Sequence, residues 1–234
     1  MTVGGPPDRS GGGSAAVDPG DASAGGGTTV AVVPLRGPGG KTRLGEELSP
    51  ARRERLVVAL ARHVLDALLA APGVGRVVVV TTDPAHAGAV SGHRDVEVLA
   101  QPVAVRGLNP AVAFGRARAR ALGARRSLVV HADLPLLAAD DVAALLAPRS
   151  AVVLAPDTAG TGTNALVLDE ERAAGFATRF GVGSRERHEA EARRLGLDVT
   201  VVRRTGTARD LDTAADWSGL PDAQRAALTR PPAG

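Results

Sequence analysis

Short runs rich in valine, separated by longer amphipathic stretches, constrain this chain more than any other feature of it. They are "TTVAVV" (28–33), "RVVVVT" (76–81), "DVEVL" (95–99), "SLVVH" (127–131), "AVVLA" (151–155), "NALVL" (164–168) and "DVTVVR" (198–203). Several are apolar at successive positions, the pattern of strands covered on both faces. Between them, Ser49-Pro50 reads as an N-cap followed by proline at the first helical position. The helix it opens carries Val57, Leu60, Val64, Leu65 and Leu68 on one face. Asn109-Pro110 opens a second helix in the same way, Ser184 caps a third ("RERHEAEARRL"), and "AADDVAALLA" (138–147) is a fourth. Strands alternating with helices argue a layered α/β sheet. In such sheets ligands sit beyond the carboxyl ends of the strands. No internal repeat is visible.

At 234 residues and 44% hydrophobic, the chain can bury one sizeable core. The ordered domain is expected over 28–220. Residues 1–27 are mostly Gly, Ser, Pro, Ala and Asp, with little that could repay the entropy of ordering, so a disordered tail is expected there. Residues 221–234 are expected to be a C-terminal tail. A net charge of +3 does not mark a nucleic-acid binder, and three Phe, one Trp and no Tyr leave almost nothing to stack on bases. The absence of cysteine removes disulfides, thiolate zinc sites and cysteine nucleophiles. No apolar run approaches the ~20 residues of a membrane helix, and the N-terminus lacks the basic start and apolar stretch of a signal peptide. A cytoplasmic protein with no nucleic-acid or membrane partner is the expectation.

Several segments could carry chemistry. "VVPLRGPGGKTRLGEELSP" (32–50) supplies the second half of a Walker A loop at Gly40-Lys41-Thr42, but Leu35 stands where its first glycine belongs. The strand–glycine loop–lysine order still suits a triphosphate: backbone N–H groups can approach oxygens while Lys41 and Arg43 neutralise charge. It also reads as a flexible turn with solvated cations. Asp133 in "VVHADLPLL" follows a strand, where its carboxylate could hold a hard cation or simply sit in a turn before proline. Asp210 and Asp212 in "TARDLDTAADW" share a face if extended, ~6.6 Å apart, and repel unless a cation joins them. Alternatively Asp212 caps the following turn. "GTGTNALVL" (160–168) and "RFGVGS" (179–184) are small-residue loops, the second ending at a helix N-terminus that favours an anion. Thr163 and Ser184 could donate hydroxyls there, Gly181 and Gly183 permit close approach, and Arg179, Arg185 and Arg187 add charge. The same loops also fit an ordinary turn and cap. The histidines (63, 86, 93, 131, 188) show no zinc spacing, and Trp217 is expected to pack the C-terminal segment.

Taken in order, "GGKTRL", "GLNPAVAFG", "ADLP", "GTGTN", "RFGVGS" and "DLDTAAD" resemble the 2-phospho-L-lactate / phosphoenolpyruvate guanylyltransferase family of coenzyme F-420 biosynthesis, over about residues 29–217. The resemblance implies an α/β, three-layer, Rossmann-like mixed sheet of the nucleotide-diphospho-sugar transferase or molybdopterin nucleotidyltransferase type. It implies Mg²⁺-dependent transfer of GMP from GTP. Asp133, Asp210 and Asp212 then map to metal-binding, catalytic carboxylates, and Lys41 to a catalytic and nucleotide-binding lysine. Arg43 falls in the nucleotide-phosphate loop and Asn109 near the base or ribose. Thr163, Gly181 and Ser184 map to the phosphoenolpyruvate or phospholactate pocket. The alanine-, arginine- and glycine-heavy composition suggests a GC-rich bacterial gene, and bacterial members are associated with phosphoenolpyruvate. The expected product is enolpyruvyl-diphospho-5'-guanosine, passed to the next enzyme of the pathway. Alternatives are 2-phospho-L-lactate or 3-phosphoglycerate as acceptor, a related molybdopterin or sugar-phosphate nucleotidyltransferase, or a GTP-binding scaffold without turnover.

Overall fold

The valine-rich runs do form one sheet. The computed structural model describes residues 1–2, 28–35, 48–102 and 107–230. Their elements run β1 (Thr29–Leu35), α1 (Pro50–Ala70), β2 (Val74–Thr81), α2 (Pro84–Val90), β3 (Val96–Ala100), α3 (Leu108–Ala121), β4 (Arg126–Val130) and α4 (Ala139–Leu146). The second half runs β5 (Val152–Pro156), β6 (Thr163–Asp169), α5 (Ser184–Arg194), β7 (Val199–Val201), α6 (Thr205–Ala208), α7 (Ala214–Ser218) and α8 (Asp222–Thr229). The sheet order is β3-β2-β1-β4-β6-β5-β7. β6 is antiparallel to both its neighbours, β4 and β5, while the other pairings are parallel.

Alternate residues of the central strands feed two cores, which explains why these strands read as continuous apolar runs. Ala31, Val33, Val77, Val79, Leu128 and Val130 pack with Val64, Leu65 and Leu68 of α1 and Val142 and Leu145 of α4. Val30, Val32, Val78, Val80 and Val129 face the opposite layer, with Ala111, Val112 and Ala119 of α3 and Ala192 of α5. The result is three layers, as the sequence predicts. Gly115 lets α3 lie close on the sheet, since a Cβ there would collide with Val32 Cγ1.

Ser49 caps α1 as expected, its hydroxyl accepting from the Arg52 backbone N–H. The two other expected caps are displaced by one or two residues. α3 is entered from Gly107 at φ +98° and α5 from Gly183 at φ +66°. Glycine takes these left-handed angles at little cost, so the turn itself sets the helix start. Asn109 therefore lies inside the first turn of α3, and Ser184 is the first residue of α5. Helix α2 was not anticipated, although Asp83-Pro84 repeats the cue seen at Ser49-Pro50: Asp83 Oδ1 accepts from the N–H groups of Ala85 and His86 at 2.7 and 3.3 Å.

The expected C-terminal tail is also corrected. Residues 222–229 form α8, and its Leu228 joins Leu56, Leu60, Leu211 and Leu220 in a third small core. A leucine offered by a short amphipathic turn is enough to dock it against α1. Trp217 packs on the rim of that core, as expected. Most of the 1–27 tail and the loop holding Lys41 and Arg43 lie outside the described residues.

Candidate active site

Strands β1 and β4 are neighbours, yet the chain leaves β1 toward β2 and β4 toward the opposite half of the sheet. That reversal opens a crevice beyond their carboxyl ends. A cavity of about 220 Å³ lies there. Pro34 and Leu35 bring the end of β1 to it, and His131, Ala132 and Asp133 continue β4 into it. Asp210 and Asp212, which follow β7 and α6, line the same cavity. Its apolar wall is Val57 and Leu60 of α1 and Leu108 of α3.

One backbone hydrogen bond explains how acids so distant in sequence meet. The Leu211 N–H donates to the Asp133 carbonyl at 3.0 Å. Leu211 is fully buried in the third core, while Asp210 is half-buried and Asp212 exposed. Residues 209–212 carry no helix, so adjacent side chains alternate, and burying Leu211 turns both aspartates the other way. The alternative role for Asp212 is not what the chain uses: Thr213 caps α7, accepting from the Asp216 N–H while Asp216 Oδ2 accepts from Thr213. Among the described residues, the acid-and-histidine group whose ligand atoms all lie within 4.8 Å of one another is Glu54, Asp83 and His86. The cavity aspartates are spread more widely. Asp83 already serves as the α2 cap.

The second element of the site is the pair of small-residue loops. β4 pairs with β6 so that Val130 faces Ala165, and the His131 N–H donates to the Asn164 carbonyl at 3.1 Å. Beyond that point the register of β6 shifts, and Thr163 pairs with Pro156 of β5. Thr163 and Ser184 are both buried at 2% exposure. The Ser184 N–H donates to the Gly181 carbonyl at 3.0 Å and the Arg185 N–H to Thr161 at 3.1 Å, tying the two loops together. Arg185 also reaches the Gly160 carbonyl and Glu189.

Asn109, expected near the base or ribose, also holds a loop of the site. Its Oδ1 accepts from the Phe180 N–H at 2.7 Å and its Nδ2 donates to the Phe180 carbonyl at 3.1 Å. It therefore braces the 179–181 loop against α3, and one amide proton is left for anything else. The Phe180 ring lies between His131 and His188, with centroids 5.3 and 4.9 Å away. This stack joins the acidic cavity to the Thr163–Ser184 loops.

His188 was not anticipated in this site. The signal was available: it stands four residues after Ser184, on the same face of α5. Burial, and secondarily the nearby His131 ring, lower its pKa to about 4. Below an ordinary histidine pKa of ~6.5 the unfolded chain takes up a proton that the folded one refuses. Folding stability is therefore full above pH ~6.5 and falls by about 3 kcal/mol toward pH 4. Urea midpoints across that range check this. The slope should be smaller in His188→Leu, with the part due to half-buried His63, whose pKa burial also lowers, remaining.

Behind the loops, Arg116 of α3 clamps Glu170 with two bonds, Nε to Oε1 at 3.0 Å and Nη2 to Oε2 at 3.1 Å. It also donates to the Phe176 carbonyl at 2.9 Å, holding the segment that leads into Arg179 and Phe180. The structure thus brings together Asp133, Asp210 and Asp212, and it joins Thr163, Gly181 and Ser184 in loops beside them. Lys41 and Arg43 lie outside the described residues.

Comparison with known proteins gives the family and the fold. The family described as guanylyl transferase, CofC like, matches residues 29–220. A phosphoenolpyruvate guanylyltransferase of Sphaerobacter thermophilus is 43% identical over 199 residues, 82% of this chain and 92% of that protein. Another, of Rubrobacter xylanophilus, is 40% identical over 197 residues, covering 82% and 93%. The fold matches a putative nucleotide-diphospho-sugar transferase from Desulfovibrio desulfuricans G20 with TM-score 0.70 at 17% identity, over 86% of this chain and 93% of that one. It matches a nucleotidyl transferase from Methanothermobacter thermautotroptrophicus with TM-score 0.64 at 20% identity, over 84% and 97%. A family match across residues 29–220, with relatives 43% and 40% identical over 82% of its length, makes the chain a member of the CofC-like guanylyl transferase family.

Proposed function

We propose that the protein transfers the guanylyl group of GTP to phosphoenolpyruvate, giving enolpyruvyl-diphospho-5'-guanosine and pyrophosphate. The product would pass to the next enzyme of coenzyme F-420 biosynthesis. The observation that carries the reading is the Leu211–Asp133 hydrogen bond, which holds two separate acidic segments on one crevice. The curated relatives' names support the acceptor.

In the reaction, a phosphate oxygen of the acceptor attacks the α-phosphorus of GTP. The bond from that phosphorus to the α–β bridging oxygen breaks, and pyrophosphate leaves with the electron pair. Because the nucleophile is already an anion, no strong general base is required. The chain's work is positioning and charge balance. Lys41 and Arg43 would balance the leaving pyrophosphate. Thr163, Ser184 and the amide-rich start of α5 would hold the acidic acceptor.

Mg²⁺ takes one or two carboxylates together with water and substrate phosphates, and Asp133, Asp210 and Asp212 offer such carboxylates around one cavity. They would hold Mg²⁺ together with the phosphates of the bound substrates. Bound there, the ion would neutralise phosphate oxygens and the developing charge on the leaving group.

The test is pyrophosphate release from GTP and Mg²⁺ with phosphoenolpyruvate, 2-phospho-L-lactate and 3-phosphoglycerate in parallel, and again after chelation. Release with phosphoenolpyruvate, abolished by chelator, is expected. Release with phospholactate alone overturns the acceptor, and turnover of CTP with a sugar phosphate overturns the reaction.

A further inference from the structure

His188 is fully buried on α5 behind the loop that carries Gly181 and Ser184. Both of its ring nitrogens are engaged. The Arg179 backbone N–H donates to Nε2 at 2.9 Å. An amide N–H can only donate, so Nε2 must present its lone pair. A neutral imidazole has one ring proton, which then sits on Nδ1, 3.1 Å from Thr163 Oγ1. The ring stays neutral because it is enclosed with Phe176 and Phe180.

The consequence falls on the threonine. A hydroxyl has one proton to give and lone pairs to receive with. Nδ1–H occupies a lone pair of Thr163 Oγ1, so the threonine proton cannot be given to His188 and is turned to another acceptor. Phosphate and carboxylate oxygens are acceptors only, so a hydroxyl locked as a donor is matched to an acid phosphate.

We propose that His188 is a positioning residue which, through the relay Arg179 N–H to Nε2 and Nδ1–H to Thr163, fixes the Thr163 hydroxyl as a donor to the acceptor substrate. The inference rests on the reading of the Thr163–Ser184 loops as the acceptor pocket. It adds to that reading a residue that itself touches no reacting atom.

Two experiments test it. In the wild-type protein, ¹⁵N chemical shifts of the His188 ring at neutral pH should report a protonated Nδ1 and an unprotonated Nε2. The opposite tautomer, or an imidazolium, overturns the proposal. In steady-state kinetics, His188→Leu should raise the KM for phosphoenolpyruvate on the order of 10–100-fold, the loss expected for one hydrogen bond to a charged group. The KM for GTP should stay within about twofold, because the relay faces only the acceptor. His188→Asn, whose amide keeps a donor near the Nδ1 position, should recover most of the loss. Adding His188→Leu to Thr163→Val should cost nothing further, since both act through one hydroxyl.

Additive losses in the double variant, equal rises in both KM values, or Asn no better than Leu overturn the relay. Should His188→Leu fail to fold, the wild-type nitrogen shifts and the Asn variant still decide. A wild-type enzyme that ignores phosphoenolpyruvate but turns over another acid phosphate sinks the acceptor reading alone. The same series is then run on that acid. Full activity with phosphoenolpyruvate and an unchanged His188→Leu sinks this inference alone.

Discussion

Asp210→Asn is expected to lower kcat for pyrophosphate release on the order of 10³-fold, the scale of losing a group that stabilises transition-state charge. Asp133→Asn should do the same. The substitutions keep side-chain shape and remove one negative charge. They leave the Leu211 N–H bonded to the Asp133 carbonyl, because that bond is made by backbone alone. A fall in turnover far larger than any change in the thermal midpoint is the signature of an acid kept for chemistry. Unchanged turnover in either variant would remove that acid from the chemistry, and a protein with no turnover to lose would instead favour a GTP-binding scaffold.

Glu170→Leu is expected to cost stability, not chemistry, by about 3–5 kcal/mol. Glu170 and Arg116 are 6% and 4% exposed, so the substitution would leave a buried guanidinium without its anion. For a chain of this length each kcal/mol moves the melting temperature by roughly 2–4 °C, so a fall of about 10 °C should appear in calorimetry. Arg120 Nη1, 2.9 Å from Oε2, is partly exposed and can turn to water. The double variant Arg116→Leu/Glu170→Leu should therefore recover much of the loss. The pH dependence has a definite sign. Burial pushes the Glu170 pKa up, but Arg116, Ser127 and Arg120 outweigh it and the net shift is downward. The stabilisation is present above the ordinary glutamate range and is lost as pH falls through the lowered value.

The sheet was legible because strands buried on both faces must be apolar throughout, as Val77 to Val80 are. Helix α1 was legible for the opposite reason: its polar face alternates with a continuous apolar one. The helix starts at Gly107 and Gly183 were not, since a positive φ is a property of the turn that side-chain chemistry does not announce. Helix α8 was missed because one leucine in eight residues gives no periodicity until its docking surface on α1 is known. The acids Asp133, Asp210 and Asp212 could be nominated from their positions after apolar segments. Their meeting could not, because it is made by Leu211 and a backbone N–H. His188 and Arg116 were hidden by the same logic, since a polar residue is read as solvent-facing until a partner such as Thr163 or Glu170 is seen beside it.

Leu211 also makes the chemistry and the end of the chain one mechanical unit. A leucine held among Leu56, Leu60, Leu220 and Leu228 cannot swing out without carrying Asp210 and Asp212 with it. Fraying of α8 and loosening of the acidic pair then become a single event. Amide exchange along 222–229 should slow when the crevice fills, so a helix that lines no part of that crevice reports its occupancy.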